Sequence, residues 1–157
     1  MLAYAAFFFA VFVTAVAVFL QAQNQELTRT ENTYAQEIAY GFADNIHIAF
    51  VAGPGFVERV EVPKDILGKK YLLLVSISPD ASLQETGNVY VNWESAGKNA
   101  SFSAPTVTAS YAPTTDGGMV TVPEESPYGG RFIIIDPSAG SALNISNNDG
   151  IIGIMKG

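Results

Sequence analysis

The first 20 residues, MLAYAAFFFAVFVTAVAVFL, contain no charged side chain, and the first charge along the chain is Glu26. About 20 consecutive apolar residues are enough for a helix to cross the hydrocarbon core of a membrane. Such a run can be a signal peptide, a membrane anchor, or a helix that is buried inside an assembly. Whichever it is, this segment has to be removed from water.

A signal peptide has a basic region before a short apolar core. Here nothing basic precedes the apolar run, and the run is longer than a typical signal core. A transmembrane helix fits the length, but the Arg or Lys residues that usually orient such a helix are missing on its N-terminal side. We therefore expect that a short basic leader has been cleaved and that the mature protein starts at or near Met1.

The helical pattern continues beyond residue 20. Between Gln21 and Val51 there is no proline, and Gly41 is the only glycine. One apolar stripe at helical spacing consists of Leu27, Tyr34, Ile38, Phe42, Ile46 and Phe50, and a stripe of small residues beside it consists of Ala35, Ala39 and Ala43. The sequence AGPGF at 52–56 ends the pattern. We predict one helix of about 50 residues, roughly 75 Å long, which is apolar over 1–20 and amphipathic over 21–51.

From residue 56 onward the apolar period changes from helical to alternating. FVERVEV, KYLLLVSIS, NVYVNW, RFIIID and GIIGIM are typical of short strands, and clusters of Gly, Pro, Asn and Ser separate them. The predicted fold class is α+β, with a long N-terminal α-helix followed by an all-β immunoglobulin-like antiparallel sandwich. The predicted domains are the helix, residues 1–53, and a head, residues 54–157, that folds on its own.

Composition excludes several kinds of site. A net charge of −7 argues against nucleic acid as a partner, and the absence of cysteine excludes disulfides and thiolate metal sites. His47 is the only histidine and has no second imidazole or thiol with which to share a zinc ion. The segment NISNNDG at 144–150 lacks carboxylates at the key positions of a calcium loop. We expect no catalytic, cofactor or metal site, and no enzymatic activity.

Two tripeptides have the Asn-X-Ser pattern that accepts N-linked glycans, starting at Asn99 and at Asn144. Both lie in the strand-rich half, at predicted turns or strand edges. We expect both side chains to face solvent and at least one of them to carry a glycan.

The order of these segments resembles the archaeal type IV pilin superfamily, which includes adhesion pilins and archaellins. An apolar helix at the mature N-terminus runs on as an amphipathic helix, breaks at Gly-Pro-Gly and enters an all-β head. The segment FVERVEVPKDILGKKYLLLVS at 56–76 also looks like the opening strands of such heads. Bacterial type IV pilins typically have glutamate at the fifth mature position, and Ala5 at this place favours the archaeal branch.

The resemblance implies a structural subunit of an extracellular, adhesive filament in which identical subunits form a helical homopolymer. A prepilin peptidase and an assembly platform would be transient partners, and the precursor would wait in the plasma membrane. The expected filament-core residues are Phe7, Phe8, Phe9, Phe12, Phe19, Leu20, Leu27, Tyr34 and Ile38. Two alternatives stay open: an archaellin of a motility filament, and a membrane-anchored β-sandwich protein of the archaellum stator that binds the surface layer.

Overall fold

The computed structural model describes residues 2–77, 86–108, 110–112, 118–123 and 131–157. Within these residues, one long helix precedes eight strands. These elements are α1 (Leu2–Ala52), β1 (Val57–Glu61), β2 (Tyr71–Ile77), β3 (Gly87–Ser95), β4 (Lys98–Thr106), β5 (Val120–Thr121), β6 (Arg131–Ile135), a 3-10 turn (Pro137–Ala139), β7 (Ala142–Asn148) and β8 (Ile151–Lys156).

The strands form two antiparallel sheets, with the orders β1-β7-β8 and β4-β3-β2-β6-β5. The predicted α+β class, with a long N-terminal helix and a sandwich-like antiparallel head, is confirmed. The sheets hold three and five strands, whereas an immunoglobulin constant domain has four and three. The five-stranded sheet contains the consecutive strands β2-β3-β4, and the two-residue turn Ala96–Gly97 joins β3 to β4.

The second half of α1 belongs to the core of the head. It packs against β3 and β4 of the larger sheet and against β7 of the smaller one. One face of the helix is buried there, and its apolar members are Ala35, Ile38, Ala39, Phe42, Ala43, Ile46 and Ala49. They share a single apolar cluster with side chains of both sheets, including Val91, Trp93 and Ile145. The helix therefore completes a core that the sheets alone would leave open.

The predicted stripe agrees with the buried face over its middle part. Ile38, Phe42 and Ile46 are buried, and the alanines beside them allow the helix to approach the sheets closely. Tyr34 lies at the edge of this face and is 45% exposed. Leu27 lies on the same face but N-terminal to the head, where no strand reaches it, and it is exposed.

The C-terminus of α1 is fixed to the sheet by one buried amide. Gly53 has a φ of 83°, the left-handed conformation that ends many helices. Asn147 of β7 is 1% exposed, and its Nδ2 donates hydrogen bonds to the carbonyl oxygens of Ala49 at 2.9 Å and Phe50 at 3.3 Å. Its Oδ1 accepts a hydrogen bond from the Gly150 amide at 2.8 Å. Carbonyls that lack a partner within the helix are thus satisfied from the sheet.

The expectation that residues 54–157 fold on their own stays a prediction, and these contacts argue against it. Residue 53 is where the helix ends, but the apolar core extends back to Ala35 on the helix. Removing the helix would expose the inner faces of both sheets, because its side chains lie against them. The boundary of the folding unit lies before Glu31, the first buried residue of the helix.

We predict that a chain beginning at Gly55 fails to fold, whereas a chain beginning at Gln25 folds as a soluble monomer. The longer fragment keeps every buried helix residue and omits the apolar segment. Circular dichroism and the dispersion of amide signals in NMR spectra would compare the two fragments. A cooperative folded state of the fragment from Gly55 would contradict the shared core.

Candidate functional site: an exposed apolar helix

The N-terminal half of α1 lies outside the core that the described residues of the head form. Every residue from 4 to 27 is exposed. Six of the predicted filament-core residues are large apolar side chains in this segment: Phe7, Phe8, Phe9, Phe12, Phe19 and Leu20, each at least 53% exposed. An apolar surface of this size on all sides of one helix does not remain in water. A lipid or protein environment has to cover it.

The helix is long and apolar enough to cross a membrane, judged by length and composition. Its most apolar window has a mean hydropathy of 2.3, and none of that window is buried. Residues 4–20 span about 25 Å at 1.5 Å per residue, close to the thickness of a bilayer core of about 30 Å. The segment therefore fits lipid, and it fits equally a shell of other apolar helices.

One polar side chain and one aromatic pair stand out in this segment. The hydroxyl of Thr14, the one polar side chain between Phe12 and Leu20, donates a hydrogen bond to the Ala10 carbonyl at 2.8 Å. The rings of Phe7 and Phe8 meet edge to face, with centroids 6.2 Å apart. Burying one Phe side chain contributes about 1.5–3 kcal/mol, so several together make separation into water very unfavourable.

A polar zone lies between the apolar segment and the head. Residues 21–25, with the sequence QAQNQ, carry exposed amides, and Glu26 and Arg29 are the first charges. The Thr28 hydroxyl donates to the Asn24 carbonyl at 3.0 Å, and the Thr30 hydroxyl donates to the Glu26 carbonyl at 2.9 Å. The zone separates the part of the helix that needs an apolar environment from the part that the head buries.

The remaining predicted core residues are placed differently. Leu27 is 56% exposed and Tyr34 is 45% exposed, so both are available to a neighbouring molecule. Ile38 is 8% exposed and packs inside its own head. The assignment of Ile38 to contacts between subunits is therefore corrected, because the sheets of the same chain already cover it.

The predicted glycosylation sites lie on different sheets. Asn99 is exposed on β4, the edge strand of the larger sheet. Asn144 is half-buried on β7, the central strand of the smaller sheet. His47 is an exposed helix residue, and the described residues contain no cluster of His, Asp and Glu that could hold a metal ion.

Glu31 has a structural role to which the sequence analysis gave no attention. Its side chain is buried at the end of the folding unit, where Lys69 Nζ lies 2.5 Å from Oε1. The Ser95 hydroxyl, at the end of β3, donates to Oε2 at 2.6 Å. Its spacing in the sequence could have predicted this burial. Glu31 precedes Ala35 by four residues and Ile38 by seven, so it lies on the same face of the helix.

The environment of Glu31 favours its charged form. Burial alone would raise the pKa of this carboxyl, but the hydrogen bonds and charge of Lys69, with the hydroxyl of Ser95, outweigh burial and lower the pKa below the ordinary value of 4.5. The indole of Trp93 adds the smallest contribution to the lowering. Its Nε1 is buried and forms no hydrogen bond with the described residues, so it acts from a longer distance.

No protein-family model, curated protein or solved structure matches this chain.

We predict that Glu31→Gln lowers the free energy of unfolding by about 1.5–3 kcal/mol at pH 7, the range for hydrogen bonds to a charged group. Since the pKa is lower in the folded state, the contribution of Glu31 is present above pH 4.5 and is lost as the pH falls through the folded-state pKa. The variant should therefore lack part of the acid-induced loss of stability. Urea unfolding of the fragment from Gln25, between pH 7 and pH 3, measures both effects.

The exposed helix residue Glu37 provides the matched control. Glu37→Gln should unfold like the wild type at every pH. Equal stability of Glu31→Gln and the wild type across this range would contradict the role of the buried carboxylate.

Proposed function

We propose that this protein is the structural subunit of an archaeal type IV-like extracellular filament, an adhesive pilus, and that it polymerises through the N-terminal half of α1. The observation that carries the proposal is the division of one helix. Residues 31–49 provide the buried face that completes the head, while residues 4–27 are wholly exposed and largely apolar.

Because the helix is divided in this way, the apolar segment of each subunit has a fixed orientation relative to its head. The apolar segment continues an α-helix without interruption from the part that Glu31 and Asn147 attach to the head. Several copies can bury their apolar segments against one another while every head stays outside. The heads are then held in fixed positions around a helical core.

Identical helices are suitable neighbours for this segment. Small residues alternate with the large ones, as in Ala5, Ala6, Ala10, Ala15 and Ala17, and small side chains let helices without polar contacts approach closely. A helix that is apolar on all sides can pack against apolar helices of other subunits on every side. Contacts between different faces of identical subunits give an open helical polymer and not a closed ring.

The same segment supports a precursor stage in the membrane. A helix without charges over 20 residues is stable in lipid, so a subunit can wait in the plasma membrane with its head outside. Assembly exchanges lipid contacts for helix contacts. Extraction into an extracellular filament would need a prepilin peptidase and an assembly platform as transient partners.

The second candidate function is a permanent membrane anchor with an external β-head, as in a stator component that grips the surface layer. It is favoured by the same length and hydropathy, which match a bilayer. The two functions differ in what surrounds residues 4–20: lipid in the anchor, other copies of this chain in the filament.

We predict that Ala10→Asp abolishes filaments, whereas Ala10→Ser at the same position retains them. A charge at the centre of a membrane helix costs about 2.5–3.5 kcal/mol during insertion. In a dry bundle of helices it would also remain unpaired, which costs more. Serine is small and uncharged and can donate to the helix backbone, as Thr14 does. Electron microscopy and mass spectrometry of material sheared from the cell surface would report filament content.

Both variants should keep a folded head, because Ala10 is remote from it, and resistance to proteolysis would check this. Filaments of wild-type amount from Ala10→Asp would show that this segment is not their core. Wild-type protein that stays in the membrane fraction, with none in sheared filaments, would favour the anchor.

A further inference from the structure

The outer face of the larger sheet carries a groove of about 850 Å³, on the side opposite to α1. Strands β2, β3, β4 and β6 all contribute to it, through residues that include Leu72, Tyr90, Asn92, Ser101 and Phe132. Its size lies in the range of sites for small organic ligands, about 300–1,000 Å³. The proposed assembly surface on α1 does not include it.

Strand alternation explains why these side chains lie together. Val89, Val91 and Trp93 of β3 point into the core, so Tyr90 and Asn92 point outward. The antiparallel register places Asn92 opposite Leu72 of β2 on one side and opposite Ser101 of β4 on the other. Two residue pairs further along, on the same face of the sheet, Glu94 is opposite Asn99.

The groove combines an aromatic wall with hydrogen-bonding groups. The rings of Tyr90 and Phe132 meet edge to face, with centroids 5.9 Å apart. The Ser101 hydroxyl donates to Asn92 Oδ1 at 2.6 Å. Lys70 and Glu94 line the groove with both signs of charge, and neither forms an ion pair within the described part of the chain.

A saccharide presents the complementary chemistry. One face of a sugar ring carries C–H groups that pack on aromatic rings, and its hydroxyl groups both donate and accept hydrogen bonds. Tyr90 offers a ring with a polar edge, Asn92 offers an amide, and Glu94 offers a carboxylate acceptor. Among the described lining residues, Lys70 is basic and Glu94 and Asp136 are acidic, a mixture that does not suit a phosphorylated ligand.

The position of Asn99 identifies the source of the saccharide. Asn99 lines the groove, is exposed, and begins the tripeptide Asn99-Ala100-Ser101. Since Ala100 faces inward opposite Trp93, Asn99 and Ser101 both face outward. The other candidate, Asn144, is half-buried on the smaller sheet, and Ser146 of its tripeptide is only 6% exposed.

We propose that Asn99 carries an N-linked glycan whose first sugars lie in this groove. A cellular transferase would attach it from a sugar-phosphate donor. The Asn99 Nδ2 forms a bond to the anomeric carbon, the carbon–oxygen bond to phosphate breaks with its electron pair leaving on the phosphate, and the amide loses one proton. The glycan then shields the aromatic wall and the outer sheet face.

The test uses the full chain purified from cells that glycosylate it. Trypsin cleavage after Lys98, Arg131 and Lys156 places Asn99 and Asn144 in separate peptides, residues 99–131 and 132–156, so mass spectrometry assigns each site separately. Hydroxyl-radical footprinting then compares the oxidation rate of Tyr90 in the wild type and in Asn99→Gln. Tyr40 is the internal reference, because its ring meets that of Phe102 edge to face on the helix side of the sheet.

We expect a glycan on peptide 99–131, and a several-fold faster oxidation of Tyr90 in Asn99→Gln with no change at Tyr40. Ser101→Thr, which keeps both the tripeptide and a hydroxyl, and Asn144→Gln should protect Tyr90 like the wild type. An unmodified Asn99, or equal oxidation of Tyr90 with and without the glycan, would overturn the proposal. Neither outcome depends on whether filaments form, because the same measurement applies to protein from membranes.

Discussion

Burial of the second half of α1 in its own head determines what the first half can do. The face that starts at Glu31 and ends at Ala49 completes a core shared with both sheets, so we expect the head to unfold if the helix is removed. The carboxylate of Glu31 binds Lys69 and Ser95 at one end, and the amide of Asn147 satisfies helix carbonyls at the other. With its C-terminal half fixed in this way, the helix projects its apolar half away from the head.

The projecting half has one requirement, which is an environment without water. The apolar segment contains no charge, and its polar Thr14 is satisfied by its own backbone. Nothing in it distinguishes lipid from a layer of identical helices, and a subunit that moves from a membrane into a filament needs this property. The exposed amides that follow mark where the apolar environment ends. The head carries more acidic than basic side chains.

The sequence predicted the parts of the fold that depend on short-range periodicity. Ile38, Phe42 and Ile46 share a face because of their spacing, and the change to an alternating pattern near residue 56 indicates the strands.

The partner of that helix face was not predictable from the sequence. Spacing shows that a face is apolar but not what covers it, and Ile38 was therefore assigned to contacts with neighbouring subunits. Glu31 was missed because a carboxylate is usually exposed, and its partners are 38 and 64 residues away in sequence. The amide of Asn147 acts on a carbonyl 98 residues earlier, a contact that depends on the sheet topology. The groove beside Asn99 likewise required the register of four strands, although the Asn-X-Ser pattern could be read directly.

Cryo-electron microscopy of material sheared from the cell surface can show what surrounds the apolar half of α1, because one reconstruction locates both halves of the helix. We expect a helical filament in which residues 4–20 of each subunit are surrounded by the same residues of its neighbours, at the interaxial distances of about 8–10 Å that packed helices adopt. Residues 31–49 should remain in the head of their own subunit. Filaments with the apolar segment outside the core, or with residues 31–49 released from the head, would contradict this expectation.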